Sequence, residues 1–188
     1  TLFVRSGPAL IESLAGRGFE VFLDLKFHDI PEQVAGACRS AADMGVWMMT
    51  VHAAGGTGML SRAMAAVAEV KNRPRVVGVT VLTSMDAGDM ADVGLSGTPM
   101  DAVQRLAGVA SRAGLDGVVC SANELSGVRA QYPEPFLCVT PGIRPNPTLG
   151  NDDDQKRVTT AADAIRDGAS FLVVGRPITR AAEPMQVV

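Results

Sequence analysis

The chain has 188 residues, a formal net charge of −3 and 47% hydrophobic residues, a composition typical of a globular chain that can bury one large core. Mild acidity without basic clusters gives no support for a nucleic-acid partner, and the apolar runs are too short to span a membrane. No secretory leader opens the chain and its three cysteines are widely spaced in apolar segments, so a cytoplasmic location with reduced thiols is predicted: Cys38, Cys120 and Cys138.

Segments with the spacing of amphipathic helices alternate with short apolar segments along the chain. Helices are predicted to begin at or beside six residues: Pro8, Pro31, Met59, Pro99, Ala122 and Thr160. Strands are predicted in six ranges: 21–27, 46–51, 75–82, 116–120, 136–139 and 170–174. This alternation predicts an α/β chain with a parallel sheet.

Some local details carry specific expectations. The polar segment 86–97 is predicted to be a connection between a strand and a helix. Ser121 and Glu124 have the spacing of a capping box, in which each side chain would accept from the other residue's main-chain N–H. The helix at 59–70 is predicted to bury three side chains: Met64, Val67 and Ala68.

One predicted strand differs from the others because it carries charge. Alternate side chains of an extended chain share a face, so Asp24 and Lys26 lie side by side near the strand's carboxyl end, and Asp29 follows in the loop. An isolated Asp-x-Lys pair is most often a solvated ion pair. The other strands, however, are apolar on both faces, as parallel strands covered on both sides are. An ammonium among carboxylates can deliver a proton, so the cluster is predicted to be a functional site.

The remaining residues with suggestive chemistry also follow the carboxyl ends of strands: His52, Thr83, Ser84, Thr140 to Arg144, Gly175 and Arg176. A (β/α)₈ barrel builds its active site there, and so does an open doubly wound sheet, although no dinucleotide fingerprint favours the latter. A closed barrel needs eight strands in about 250 residues. The fold prediction is therefore a single domain over 1–188, a (β/α)₈ barrel that lacks its first two strands and its C-terminal helix.

The last predicted strand leads into a candidate phosphate site. Gly175 and Arg176 would offer main-chain N–H groups at the start of a short helix and a guanidinium fork for phosphate oxygens. Arg144 lies in a proline-stiffened loop that either holds a second guanidinium near the phosphate or leaves it in solvent. The two histidines, His28 and His52, have no ligand spacing, so no metal is expected.

Four motifs together resemble the orotidine 5′-monophosphate decarboxylase family in its bacterial form. They are Asp24-x-Lys26-x-x-Asp29-Ile30-Pro31, Val81-Leu82-Thr83-Ser84, Thr140-Pro141-Gly142-Ile143-Arg144-Pro145 and Val174-Gly175-Arg176-Pro177. The first motif is shared with sugar-phosphate decarboxylases and aldolases of the same barrel superfamily. The Thr-Pro-Gly-Ile-Arg-Pro block is specific to the pyrimidine enzyme, and the resemblance runs over the whole chain.

The resemblance implies a cytoplasmic homodimer in the last step of de novo pyrimidine synthesis, a carboxy-lyase that converts orotidylate to uridylate and carbon dioxide without metal or cofactor. Lys26 would protonate C6 of the pyrimidine, and Asp24 would lie against the departing carboxylate. Asp29 would enter the site of the partner subunit. Thr83 or Ser84 would contact the pyrimidine, and Gln155 would bridge the base and the phosphate. Gly175 and Arg176 would bind the phosphate, with Arg144 at the same end.

Two departures from the family pattern bear on activity. The family usually has Asn-Thr where this chain has Glu32-Gln33. The family's threonine contacts the substrate across the dimer, so Gln33 would make a different contact with the substrate or none. The family's first strand supplies an aspartate to the ribose, and its second supplies a lysine to the charge network. Neither segment lies in these residues, so a polypeptide starting at Thr1 is expected to be a defective enzyme.

Two other functions stay open at this point. A sugar-phosphate decarboxylase or aldolase of the same superfamily would usually need magnesium and an added acidic ligand. A non-catalytic, truncated barrel would keep the Gly175–Arg176 site and bind uridylate without turning over orotidylate.

Overall fold

The computed structural model describes residues 2–144 and 158–187. The chain divides into two compact units, one formed by Thr1–Val79 with Gly108–Gly117 and the other by Thr80–Ala107 with Val118–Val188. The single domain predicted over 1–188 stays a prediction. Every helix of the described ranges is too short or too polar to cross a membrane.

The first unit contains three parallel strands with helices between them. Its elements are α1 (Leu2–Ser6), α2 (Pro8–Gly16), β1 (Phe22–Phe27), α3 (Pro31–Asp43), β2 (Met48–His52), α4 (Gly56–Val67) and β3 (Arg75–Val79). Strand β2 lies between β1 and β3, with Met49 opposite Leu23 on one side and Val76 on the other. The predicted strands and helices are confirmed here, and α1 is an additional short helix.

The core of this unit comes from strands that are apolar on both faces, as parallel strands between layers of helices are. In β2, Met48, Met49 and Val51 are all at most 1% exposed. Helix α3 buries one face. In α4 the predicted burial of Val67 is confirmed, whereas Met64 is only half-buried and Ala68, which lies beyond the last turn, is exposed. The helix begins three residues earlier than predicted, at Gly56, and its buried residues are Met59, Leu60, Ala63 and Val67.

A glycine allows close packing in the middle of β3. A Cβ atom built on Gly78 would lie 3.1 Å from the Leu115 side chain and 3.3 Å from Ala110. Any larger residue would have to push these side chains away, at a cost typical of an overpacked core.

The second unit contains the remaining elements. These are α5 (Ala87–Asp92), α6 (Pro99–Arg112), β4 (Gly117–Val119), α7 (Ala122–Gln131), β5 (Leu137–Thr140), α8 (Ala161–Arg166), β6 (Phe171–Leu172) and α9 (Arg176–Thr179), with the division between the units falling inside α6 and β4. Strands β5 and β6 are parallel, with Val139 opposite Phe171. The alternation of strands and helices again follows the prediction.

Two local predictions in this unit are wrong. The segment predicted as a connection contains α5, because Asp86 and Asp89 each accept from the other's main-chain N–H and form a capping box. At α7 the capping box is absent. Ser121 accepts from the N–H of Asn123, and Glu124 is only 3% exposed because its side chain turns into the protein.

Arg129 of α7 ties the beginnings of β5 and β6 together. Its guanidinium donates to the carbonyl oxygens of Gly168 and Phe136 and to the hydroxyl of Ser170. Ser170 also accepts from the N–H of Cys138, over 3.0 Å. This network holds together the beginnings of β5, which ends at Thr140, and of β6, which leads to Gly175.

Candidate active site

The predicted charged cluster forms at the carboxyl end of β1. Nζ of Lys26 donates to Oδ2 of Asp24 over 2.6 Å, so the prediction that these side chains lie side by side is confirmed. The side chains of Lys26 and Asp24 are 36% and 45% exposed, which leaves the pair open to a ligand. The ammonium can therefore serve as a proton donor, and the carboxylate can present negative charge beside it.

The pair depends on an irregular strand and not on simple alternation. The register of β1 against β2 shifts between Leu23 and Phe27, so three residues of β1 lie opposite the single residue Thr50. Within this bulge Lys26 has φ 55°, the one non-glycine residue with positive φ among those described. Such a conformation costs on the order of 1–3 kcal/mol and persists only where surrounding contacts hold it.

Thr50 supplies two of those contacts, although no local sequence pattern marks it as a site residue. Its Oγ1 accepts from the main-chain N–H of Lys26 and donates to Oδ1 of Asp24, each over 2.9 Å. The hydroxyl is fully buried in β2. A threonine in an otherwise apolar strand beside the charged strand was the available signal.

Asp29 lies in the loop after β1 and is exposed. Its Oδ1 accepts from the N–H of Ile30 over 2.6 Å, at the residue before α3. Among the described residues it makes no ion pair with Lys26, whose ammonium bonds to Asp24. The role of Asp29 in a partner's site stays a prediction.

Two histidines flank the cluster. The rings of His28 and His52 have their centroids 5.3 Å apart and are tilted by 35°. Burial lowers the pKa of His52, and the nearby charges of His28 and Lys26 lower it further. His52 is therefore neutral at pH 7 and adds no second cation beside Lys26.

A cavity of about 370 Å³ lies beside the cluster, lined by Lys26, His28, Asp29 and Gln33 among others. Gln33 thus borders the same space as the charged pair, although its contact with a substrate stays a prediction. The neighbouring Glu32, where the family usually has asparagine, makes a two-point ion pair with Arg62 of α4. The hydrogen bonds from Arg62 lower the pKa of the Glu32 carboxyl.

In the second unit, the loop after β3 carries the two residues predicted to contact the pyrimidine. Thr83 is 8% exposed, whereas Ser84 is exposed. The two neighbours therefore differ in exposure. Ser84 is open to solvent, and a ligand would reach Thr83 only at its small exposed surface.

The loop after β5 is anchored at its base. Main-chain hydrogen bonds join Arg144 to Thr159 and Thr159 to Gly142. The guanidinium of Arg144 donates to the carbonyl of Ile143, over 2.8 Å. Gln155 lies outside the described residues, so its predicted bridging role stays a prediction.

The candidate phosphate site begins with the predicted short helix. Arg176 is the first residue of α9, and Gly175 precedes it. A Cβ built on Gly175 would meet no atom within 4 Å, so the space beside its main chain is open. Phosphate binding by Gly175 and Arg176 stays a prediction. Across residues 2–144 and 158–187, no group of three or more His, Cys, Asp or Glu side chains is placed to hold a metal ion.

Parallel strands that alternate with helices and carry polar and charged groups at their carboxyl ends define the class as an α/β protein with a candidate site at those ends. The sequence profile of the Orotidine 5′-phosphate decarboxylase / HUMPS family matches residues 1–188. The chain belongs to this family.

Individual relatives agree with this assignment. The chain is 54% identical over 187 residues to orotidine 5′-phosphate decarboxylase of Hydrogenovibrio crunogenus, covering all of this chain and 78% of the relative. It is 55% identical over 184 residues to the enzyme of that name from Halorhodospira halophila, covering 97% of this chain and 77% of the relative.

A solved structure supports the fold. The crystal structure of orotidine 5′-phosphate decarboxylase from Lactobacillus acidophilus matches 96% of this chain and 77% of its own, at 34% identity and a TM-score of 0.84. The predicted (β/α)₈ class is confirmed. The described residues contain six strands, and the chain spans roughly three quarters of its relatives' length, in agreement with the predicted incomplete barrel.

Proposed function

We propose that this chain catalyses the decarboxylation of orotidine 5′-monophosphate to uridine 5′-monophosphate and carbon dioxide, the last step of de novo pyrimidine synthesis. The observation that carries the proposal is the 2.6 Å contact between Lys26 and Asp24 inside the family's Asp-x-Lys-x-x-Asp motif. Relatives that are 54% and 55% identical to this chain are named orotidine 5′-phosphate decarboxylase, which is a carboxy-lyase.

In the proposed reaction the bond between C6 and the carboxylate breaks, and its electron pair stays on C6. The Lys26 ammonium stabilises the developing carbanion and then transfers a proton to C6, while carbon dioxide leaves. The neutral amine afterwards regains a proton from solvent. Asp24 orients the ammonium and lies against the departing carboxylate, where its negative charge disfavours the bound substrate more than the transition state.

The other site residues are proposed to hold the substrate. Thr83 or Ser84 contacts the pyrimidine, and Gln155 bridges the base and the phosphate. The phosphate is bound by Gly175 and Arg176, with Arg144 at the same end. Binding energy from this remote group supports catalysis at C6 because it holds the reacting carbon in place. The proposed chemistry uses protein side chains alone, without metal or organic cofactor.

The assembly is proposed to be a homodimer in which Asp29 reaches the partner's site and Gln33 lies near the same boundary. The exposure of Asp29 and Ile30 beside the charged cluster supports this arrangement. A cytoplasmic location is proposed because all three cysteines are free and buried, as in a reducing compartment. The names of these relatives lend no support to a sugar-phosphate enzyme or to a binding-only barrel.

The experiment that tests the function is the loss of orotidylate absorbance on adding metal-free protein. Turnover by the wild type that disappears in Lys26→Ala would support the proposal, provided that uridylate binding by calorimetry is retained in the variant. Full turnover by the Lys26 variant would overturn the mechanism. Uridylate binding without turnover in the wild type would instead indicate a real truncation or the binding-only barrel.

A further inference from the structure

Thr50 joins both members of the charged pair through one hydroxyl. Its Oγ1 lies 2.9 Å from the main-chain nitrogen of Lys26 and 2.9 Å from Oδ1 of Asp24. The other carboxylate oxygen, Oδ2, accepts from the Lys26 ammonium over 2.6 Å. The three residues therefore form a closed ring of hydrogen bonds that contains the main chain and the side chain of the lysine.

The direction of every hydrogen bond in this ring follows from the chemistry of its groups. A main-chain N–H can only donate, and an ionised carboxylate can only accept. The single proton of the Thr50 hydroxyl must therefore point at Asp24, while one of its lone pairs faces Lys26. The hydroxyl is completely buried and has no exposure to water that could take over either bond. Its orientation is fixed by the two residues that it serves.

The hydroxyl also contacts the main chain across the irregular pairing of β1 and β2. The bulge places three residues of β1 opposite Thr50, and the side chain of Thr50 accepts the hydrogen bond from the N–H of Lys26. On its far side Thr50 is held in regular register opposite Val77 of β3. A rigid strand thus supports the irregular backbone of Lys26.

We infer that Thr50 is a positioning residue, which holds the Lys26 backbone in its left-handed conformation and orients the Asp24 carboxylate so that the ammonium is aimed for proton transfer. The inference adds a residue to the proposed function and rests on it for its kinetic consequence. Thr50 acts through Lys26 and Asp24 and has no contact with substrate in this role.

Valine has nearly the shape of threonine but lacks the hydroxyl. Thr50→Val is expected to lower kcat by about 10- to 100-fold, the effect of a small misplacement of a reacting group. KM is expected to change by less than about 3-fold, because binding groups elsewhere are untouched. Thr50→Ser keeps the hydroxyl and is expected to retain most of the wild-type kcat.

A matched control separates positioning from general destabilisation. Thr80 is also a buried threonine, and its hydroxyl donates to the carbonyl of Val119 over 2.7 Å. Thr80→Val removes a comparable hydrogen bond without touching Lys26, so it is expected to lower stability while kcat stays near the wild-type value. Equal kcat losses in Thr50→Val and Thr80→Val, or equal losses in Thr50→Val and Thr50→Ser, would overturn the inference.

Amide hydrogen exchange at Lys26 provides a readout that does not depend on turnover. The Lys26 N–H is expected to be protected in the wild type and in Thr50→Ser, and to exchange at least about 10-fold faster in Thr50→Val if that hydrogen bond is lost. Should the wild type fail to turn over orotidylate, the proposed function fails. The exchange result would still decide whether the Thr50 hydroxyl holds the backbone of Lys26. Should Thr50→Val fail to fold, the wild type alone still tests the inference. Rapid exchange of the Lys26 N–H in the wild type would overturn it.

Discussion

The ammonium of Lys26 lies 2.6 Å from the carboxylate of Asp24, in a pair whose side chains are 36% and 45% exposed. An ion pair this open to water contributes at most about 1 kcal/mol to folding. The backbone that carries it is strained, since Lys26 has φ 55°. The arrangement therefore serves the chemistry of the site more than the stability of the fold.

Replacing Lys26 is expected to separate activity from stability. Lys26→Ala and Lys26→Gly should both lower kcat by at least about 100-fold, because the proton donor is lost. Glycine adopts positive φ without strain, so Lys26→Gly should be about 1 kcal/mol more stable than Lys26→Ala. Urea unfolding of the two variants measures the difference. A glycine variant no more stable than the alanine variant would show that no strain is stored at this position.

Mixing two inactive variants is expected to restore activity if Asp29 serves the partner's site. In a mixed dimer of Lys26→Ala and Asp29→Ala, one site combines the intact Lys26 of one chain with the intact Asp29 of the other. Random assortment makes half of the dimers mixed, so about a quarter of the wild-type sites should be intact after equal amounts are unfolded and refolded together. Orotidylate turnover before and after mixing is the measurement. No gain over the separate variants would place Asp29 outside the partner's site.

Arg176 is expected to act mainly through binding. Removing a charged hydrogen bond to phosphate should raise KM for orotidylate by about 10- to 100-fold. The effect should weaken at high salt, because the interaction is electrostatic. Arg180, the residue just after α9, is exposed and offers a matched control, so Arg180→Ala should leave KM near the wild-type value. Steady-state kinetics at two salt concentrations test both variants, and an unchanged KM in Arg176→Ala would contradict the phosphate assignment.

His52 is expected to make folding stability depend on pH. Burial lowers the pKa of His52 below its ordinary value of 6.5, so the unfolded chain takes up this proton at a higher pH than the folded chain does. Stability should therefore fall as the pH decreases through about 6.5, until the pH is below the pKa in the folded protein. Over the same pH range the folding stability of the His52→Gln variant should change less than that of the wild type.

Urea unfolding between pH 8 and pH 5 measures this difference. Titration of the carboxylates affects the wild type and His52→Gln alike, so it cancels in the comparison. His28→Gln is a suitable control because burial, the larger cause of the shift at His52, remains in that variant. An identical pH dependence in the wild type and in His52→Gln would show that His52 does not contribute.

Local sequence patterns determined much of the secondary structure. Proline at the start of α3 and the apolar runs of β2 and β3 specify these elements with little help from distant residues. The start and burial pattern of α4 and the presence of α5 were less predictable. The start of α4 at Gly56 depends on the tight turn after β2, and the capping box of Asp86 and Asp89 lies in a segment whose polarity is equally typical of a loop.

The sequence by itself determined the alternation of strands and helices and the presence of Asp24, Lys26 and Asp29 near one strand end, because these are properties of neighbouring residues. Only the tertiary structure decided the bulge in β1, the positive φ of Lys26 and the part played by Thr50. Thr50 is 24 residues from Lys26 and 26 from Asp24 along the chain. Its hydroxyl reaches them only when β2 is paired with β1, and no local propensity specifies a hydrogen bond between residues so far apart.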